Sequence, residues 1–161
     1  MYNSVMDVFI RKAELSDFDE ILRLNQALFN FEEQFQHQYN LNWTYSEAGR
    51  NFFKDRFNNK NALIFVAIAE NKIVGYILAL INFYSYRRVN PICDIENLII
   101  EEDYRKNGVG SKLMENVRKA AKEKAAKKLR VNAIAQNKNA LSFYRSHGFE
   151  DAVLFLEEEI E

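Results

Sequence analysis

A chain of 161 residues, 48% hydrophobic and 28% charged, is the size of one domain and buries about 68–70% of its unfolded surface without staples. Twenty-two Lys and Arg against 23 Asp and Glu give a net charge of −1, which argues against a nucleic-acid binder. One cysteine, Cys93, excludes an intramolecular disulfide framework, and two histidines leave little for a Cys/His zinc site, so no metal is expected.

Met1 to Asp7 lacks the basic and apolar stretches of a signal peptide. The longest apolar run, near residues 62–69, is too short to span a bilayer. The expectation is a single cytoplasmic domain over 1–161 with no membrane or nucleic-acid partner.

Val8 to Arg11 reads as a first strand. Ser16-Asp17-Phe18-Asp19 supplies a helix cap with acids in the first turn, and Phe18, Ile21, Leu22, Leu24, Ala27, Leu28 and Phe31 follow at helical spacing. Residues 32–45 are irregular, and Ser46 caps a second helix from Glu47 to about Phe57. After Asn58-Asn59-Lys60-Asn61, a hairpin runs through Ala62–Ala69 and Ile73 to about Tyr84. Cys93–Ile100 is the next strand, Glu101–Asn107 a polar loop, and Gly108 opens a helix to about Lys128. A strand at Arg130–Ala135, a helix at Lys138–Ser146 ended by Gly148, and a last strand at Phe149–Glu158 complete the chain. This order predicts an α+β domain: a mixed sheet with helices on its faces.

Arg105-Lys106-Asn107-Gly108-Val109-Gly110-Ser111 lies between a strand and an amphipathic helix. Two glycines let the backbone come close to a ligand, and the first helical turn offers about four unpaired N–H groups plus the positive end of the dipole. A phosphate or pyrophosphate suits such a place, with Arg105 and Lys106 adding charge. The Walker ending is absent, and Leu113 stands where a dinucleotide motif has its third glycine.

Three segments together, Leu98-Ile99-Ile100, Arg105-x-x-Gly108-x-Gly110 and Asn137-x-x-Ala140-x-x-x-Tyr144-x-x-x-Gly148-Phe149, closely resemble the GNAT superfamily of acyl-CoA-dependent N-acyltransferases, over about residues 8–158. The resemblance implies a mostly antiparallel, twisted sheet, splayed to make an acyl-CoA cleft with helices on both faces. It implies acetyl-CoA as cofactor, with CoA as product. The backbone of Leu98, Ile99 and Ile100 would bond the pantetheine. Arg105, Lys106, Asn107, Gly108, Val109, Gly110 and Ser111 would form the pyrophosphate loop. Asn137 would bond the pantetheine, and Asn139 and Tyr144 would lie near the thiol. Tyr144 matches the tyrosine that protonates the departing thiolate, and a carboxylate on the strand before the loop often serves as base. Asp94 and Glu96 alternate on that strand and so share a face, where like-charge repulsion raises at least one pKa. Glu96 is the first choice and Asp94 the second. Lys106 and Asp103 depart from the family's common Gly and Pro, without removing an N–H donor from the helix start.

The reaction expected is direct transfer to a primary amine of a small molecule or peptide in a ternary complex; a non-catalytic acyl-CoA-binding or regulatory domain is the rival. Glu14, Asp17, Asp19, Glu20, Glu32 and Glu33 outnumber Arg23 in the first helical region, which favours a cationic amine. Phe31, Glu32, Tyr39, Trp43 and Tyr45 are the candidate acceptor residues. The basic run from Arg118 to Arg130 reads as a solvated helix face. Cys93 has no nearby partner in sequence, and His147 before Gly148 reads as a helix cap. A homodimer, common in the family through sheet edges, is compatible with the sequence.

Overall fold

Alternating and continuous apolar runs make five strands, each paired with its neighbour in chain order. The computed structural model describes residues 7–160; residues 1–6, which carry most of the signal-peptide reading, and residue 161 lie outside the described set. Strands β1 (Val8–Lys12), β2 (Ala62–Ala69), β3 (Lys72–Asn82), β4 (Ile92–Ile100) and β5 (Lys128–Val131) lie side by side in chain order. Three contacts are antiparallel and the last, β4 with β5, is parallel. Among the described residues four α-helices complete the fold: α1 (Phe18–Glu32), α2 (Glu47–Asn58), α3 (Val109–Glu123) and α4 (Lys138–Ser146).

Strands covered on both faces read as continuous apolar runs, and β2 and β3 are such strands. Val66, Tyr76, Leu78 and Ile99 pack with Ile21, Leu22 and Leu24 of α1 and Phe53 of α2 on one face. Phe65, Ile77 and Ile95 pack with Val109, Leu113 and Val117 of α3 on the other, where Phe143 and Tyr144 of α4 join them. Among the described residues no helix is long and apolar enough to cross a membrane.

Helix ends follow their caps. Ser46 Oγ accepts from Gly49 N at 3.2 Å at the head of α2. Asp17 stands before α1 but does not cap it: its carboxylate accepts from Glu14 N at 2.8 Å and pairs with Arg11 at 2.6 Å. Gly148, at φ +85°, ends α4 in the left-handed conformation expected of it.

Two boundaries and one strand differ from expectation. α3 stops at Glu123 instead of Lys128, and Ala125 turns the chain at φ +60°. Lys127 N then bonds Pro91 O at 2.8 Å, so the sheet claims residues 128–131 that helix propensity alone would continue. The strand expected at Phe149–Glu158 does not form. Residues 151–160 lie outside any element and are exposed, because an extended segment becomes a strand only where a neighbour takes its N–H and C=O groups.

Candidate functional site

The loop between β4 and α3 winds through two left-handed residues, Lys106 at φ +61° and Gly108 at φ +77°. No side chain caps α3, and the first donor satisfied within the helix is Lys112 N, to Gly108 O at 3.0 Å. The preceding N–H groups of the turn therefore face outward with the helix dipole behind them, as an anion requires. A Cβ on Gly108 would meet nothing within 4 Å, so the space over this turn is open. Gly110 has a different role: a Cβ there would lie 3.1 Å from the Phe143 ring and 3.2 Å from Ile100 Cδ1, so this glycine lets α3 close against α4 and β4. Arg105 Nε donates to Ile100 O at 2.8 Å while its guanidinium lies 4.9 Å from the Phe31 ring centroid. Asn107 Nδ2 reaches back to Arg105 O, and Ser111 Oγ is 2.8 Å from His147 Nε2.

β4 and β5 pair only from Ile92–Ile95 to Lys128–Val131. Beyond Ile95, β4 carries a bulge, since Ile95 and Asn97 oppose the adjacent residues Ala79 and Leu78, leaving Glu96 as the extra residue. The stretch Leu98–Ile100 keeps β3 on one side and among the described residues has no strand on the other, which is the splay the sequence predicts. Asn137 spends its side-chain oxygen capping α4 at Ala140 N, 3.1 Å away, leaving Nδ2 for other partners. Asn139 is exposed. Tyr144 packs between the rings of Phe143 and Phe149, at 5.4 and 5.5 Å. Burial first and the Glu32 charge second push its hydroxyl well above the ordinary tyrosine value.

The strand carboxylates are both held by arginines. Glu96 accepts from Arg56 Nε and Nη2 of α2 at 2.7 and 2.8 Å. Asp94 accepts from Arg130 at 2.5 Å, Tyr84 Oη at 2.7 Å and Asn82 at 2.8 Å. Burial would raise the Asp94 carboxyl, but these hydrogen bonds outweigh it and hold it below its usual value, the opposite of the rise expected from repulsion by Glu96. Glu32, at the end of α1, differs. It forms no ion pair among the described residues, burial raises its pKa, and the only opposing influence is the Tyr39 hydroxyl. Burial first and the Glu32 charge second push the half-buried Tyr39 hydroxyl up to about 12, and the same charge is a lesser influence than burial on Tyr76 and Tyr144. Glu33 takes Tyr39 N and His37 instead.

The four candidate acceptor aromatics are dispersed. Phe31 lies under Arg105, Tyr39 stacks on Phe29 at 4.8 Å beside Glu32, Trp43 packs against Phe29 and Phe52, and Tyr45 is exposed near Arg50. Cys93 is buried and its thiol pushed up to about 12, so it is inert. Sequence reasoning missed Arg56 and Arg130, whose partners lie 40 and 36 residues away. It also missed a buried relay, Thr44 to Asn25 at 2.8 Å, Asn25 to Tyr76 Oη at 3.3 Å and Tyr76 to Asn97 at 3.2 Å, which pins the bulge to α1. No local spacing announces either.

Known proteins share this fold. The chain is 24% identical over 152 residues to an uncharacterised N-acetyltransferase of Methanocaldococcus jannaschii, covering 94% of this chain and 64% of that relative's length. It is 28% identical to the thialysine N-epsilon-acetyltransferase of Mus musculus, over 88% of this chain and 84% of the relative. Among solved structures, the aminoglycoside N-acetyltransferase AAC(6')-Iy in complex with CoA superposes with a TM-score of 0.74 at 15% identity, covering 99% of this chain and 100% of the other. The aminoglycoside acetyltransferase meta-AAC0020 from an uncultured soil metagenomic sample gives 0.71 at 24% identity, covering 96% and 97%. Residues 20–149 match the acetyltransferase (GNAT) family, and with this fold around that match the chain belongs to it and is an acyltransferase.

Proposed function

We propose that this chain transfers the acetyl group of acetyl-CoA to a primary amine on a cationic small molecule or peptide, in the cytoplasm and by direct attack with both substrates bound. The observation that carries this reading is the uncapped start of α3, open at Gly108, beside the gap where β5 leaves β4. The N–H groups of Gly108 to Ser111, with Lys106, would hold the pyrophosphate, and the free edge of Leu98–Ile100 with Asn137 Nδ2 would hold the pantetheine. The cofactor supplies an activated thioester carbonyl when bound.

Tyr144 keeps its proton at neutral pH, since burial and the Glu32 charge raise it, and that Oη donates to the departing sulfur. The deprotonation assigned to Glu96 or Asp94 from the sequence falls in this reading to Glu32. The strand pair is neutralised by Arg56 and Arg130, whereas Glu32 forms no ion pair among the described residues and burial raises its proton affinity. A cationic acceptor would fill that vacancy: its ammonium pairs with Glu32 beside the Tyr39 ring, the carboxylate takes one proton to free the nitrogen lone pair for attack on the thioester carbonyl, and a second N–H proton, released as the C–S bond breaks, restores the one that Tyr144 gives to sulfur. The thialysine and aminoglycoside acetyltransferases among the similar proteins carry names that support a basic acceptor.

Calorimetric titration with acetyl-CoA tests the donor side. A micromolar Kd, about −8 kcal/mol, is expected, and no binding overturns the reading. A panel of amines scored by CoA release tests the acceptor side; faster turnover of neutral or acidic amines than of cationic ones overturns that half.

A further inference from the structure

His147 closes the C-terminal end of α4, and its half-buried imidazole is held at both nitrogens. Nδ1 is 2.7 Å from Phe143 O and 3.2 Å from Ser146 Oγ, while Nε2 is 2.8 Å from Ser111 Oγ. A carbonyl oxygen only accepts, and Ser146 Oγ already donates to the same carbonyl at 2.7 Å. The hydrogen on Nδ1 is therefore fixed, and a second proton is gained or lost only at Nε2. Arg118 Nη2 of α3 donates to His147 O at 3.0 Å, so backbone and ring are both tied to α3. The Phe143 ring, which also lies against Gly110, packs on the imidazole with centroids 4.3 Å apart.

Ser111 gives this geometry its consequence. It stands in the first turn of α3, where the N–H groups face outward. A hydroxyl carries one hydrogen and donates it once. With Nε2 bare, Ser111 must donate to the ring, and its oxygen offers only lone pairs to an anion at the turn. With Nε2 protonated, the ring donates to Oγ instead. The hydroxyl hydrogen is then released towards the anion, with the positive charge of the imidazolium behind it. Other charged groups surround the pair. On α3, Glu115 and Arg118 lie one and two turns beyond Ser111 on the same face, and Lys112 donates to Val8 O at 2.9 Å. Arg145 of α4 pairs with Asp151 at 2.8 Å, Glu150 follows α4, and Lys106 precedes α3 in the turn. None of these comes between Nε2 and Ser111 Oγ, which touch directly.

We propose that His147 is a positioning residue for the cofactor: a proton taken from water onto its Nε2 turns the Ser111 hydroxyl towards the pyrophosphate of acetyl-CoA, so that donor binding and proton uptake are coupled. This rests on the donor site proposed above at the start of α3. To that backbone cradle it adds one side-chain donor and the group that switches it. By linkage, a proton that strengthens the bound state is itself held more tightly there.

The test is calorimetric titration of the full chain with 3′-dephospho-acetyl-CoA, which lacks the phosphate monoester that itself titrates near about pH 6. Buffers of different ionisation enthalpy count the protons taken up on binding. The wild type is expected to take up part of a proton at about pH 7 and to bind about tenfold more tightly at about pH 5.5 than at about pH 8. His147→Gln keeps an amide at this place but has no proton to gain, so both the uptake and the pH dependence should vanish. Ser111→Ala leaves the Nδ1 bond and the end of α4 intact. It should lose about tenfold in affinity at about pH 5.5 and nothing at about pH 8, and Ser111→Thr should restore the loss. A ring that merely ties α4 to α3 would lower the melting temperature of His147→Gln without changing its proton uptake. Uptake that survives His147→Gln, or a Ser111→Ala protein that binds as the wild type at the lower pH, overturns the proposal and leaves the donor site standing. A wild type that binds at neither pH overturns both.

Discussion

The two ends of the proposed cleft, one for the donor and one for the acceptor, are built on different principles. On the donor side the backbone does the work: left-handed Lys106 and Gly108, an uncapped helix start and a bare strand edge, with the side chains mostly turned to holding the loop in place. On the acceptor side the groups are side chains, Glu32 among Tyr39, Tyr76 and Tyr144, and their character comes from burial and from which charges lack a partner. A site made of backbone tolerates changes in side-chain identity as long as φ and close approach are kept. A site made of unpaired charge fails at single atoms.

The largest effect should come where the two ends meet. Tyr144→Phe removes one oxygen from a ring held by Phe143 and Phe149. Loss of a positioned proton donor costs roughly 10²- to 10⁴-fold in kcat. The Kd for acetyl-CoA should not change, because the phenol ring stays packed and the pyrophosphate cradle is made of the backbone N–H groups at the start of α3; a variant that turns over normally would remove Tyr144 from the chemistry. Glu32→Gln and Glu96→Gln then sharpen the contrast between free and arginine-held carboxylates. Glu32→Gln should lower kcat/KM for cationic amines by at least about tenfold and leave the fold intact. Glu96→Gln should instead cost about 1–3 kcal/mol of stability by weakening a half-buried bidentate pair. Interchanged outcomes would return the base to β4.

The loop glycines offer a smaller, paired test. Gly108→Val places a branched side chain at φ +77° in the open space over the helix start, and should weaken acetyl-CoA binding about tenfold or more in a folded protein. Gly110→Val meets Phe143 and Ile100, so it should lower thermal stability by about 1–3 kcal/mol. Differential scanning with and without acetyl-CoA separates the two. Equal losses of affinity in fully stable variants would mean that both glycines face the ligand.

The turn and strand edge of the proposed donor side can be read in the sequence because their determinants are local. Ala62–Ala69 and Lys138–Ser146 are where the apolar pattern and caps put them, and the Gly108 turn is announced by residues 105–111. The proposed acceptor side can be read in the sequence only as composition. An excess of acids around α1 is visible in the sequence, and so is the i, i+3 spacing that pairs Glu20 with Arg23, but not that Asp17 is taken by Arg11 while Glu32 forms no ion pair among the described residues. Partner choice across 36 or 40 residues has no spacing rule. Similarly, the apolar residues of Phe149–Glu158 suggest a strand that does not form, because composition does not say whether a neighbouring edge will take its N–H and C=O groups.

The smallest effect concerns sign more than size. The Glu32 carboxyl has a pKa raised above 4.5 in the folded chain, mainly by burial. A carboxyl raised on folding contributes no penalty below its unfolded pKa, where it is protonated in both states. Stability is lost as pH rises through the folded value, because the fold must then carry a poorly solvated charge. Gln at this position has no charge to carry. Glu32→Gln should therefore melt with the wild type below pH 4.5 and above it at neutral pH, even as turnover falls. Asp94→Asn should do the reverse, since that carboxyl is lowered by Arg130, Tyr84 and Asn82: its contribution is present above its unfolded value of 3.8 and disappears as pH falls through the folded one. A Glu32→Gln protein that melts lower than wild type at pH 7 would mean that Glu32 has a cationic partner in solution, and the vacancy that selects a basic amine would be filled by the protein itself.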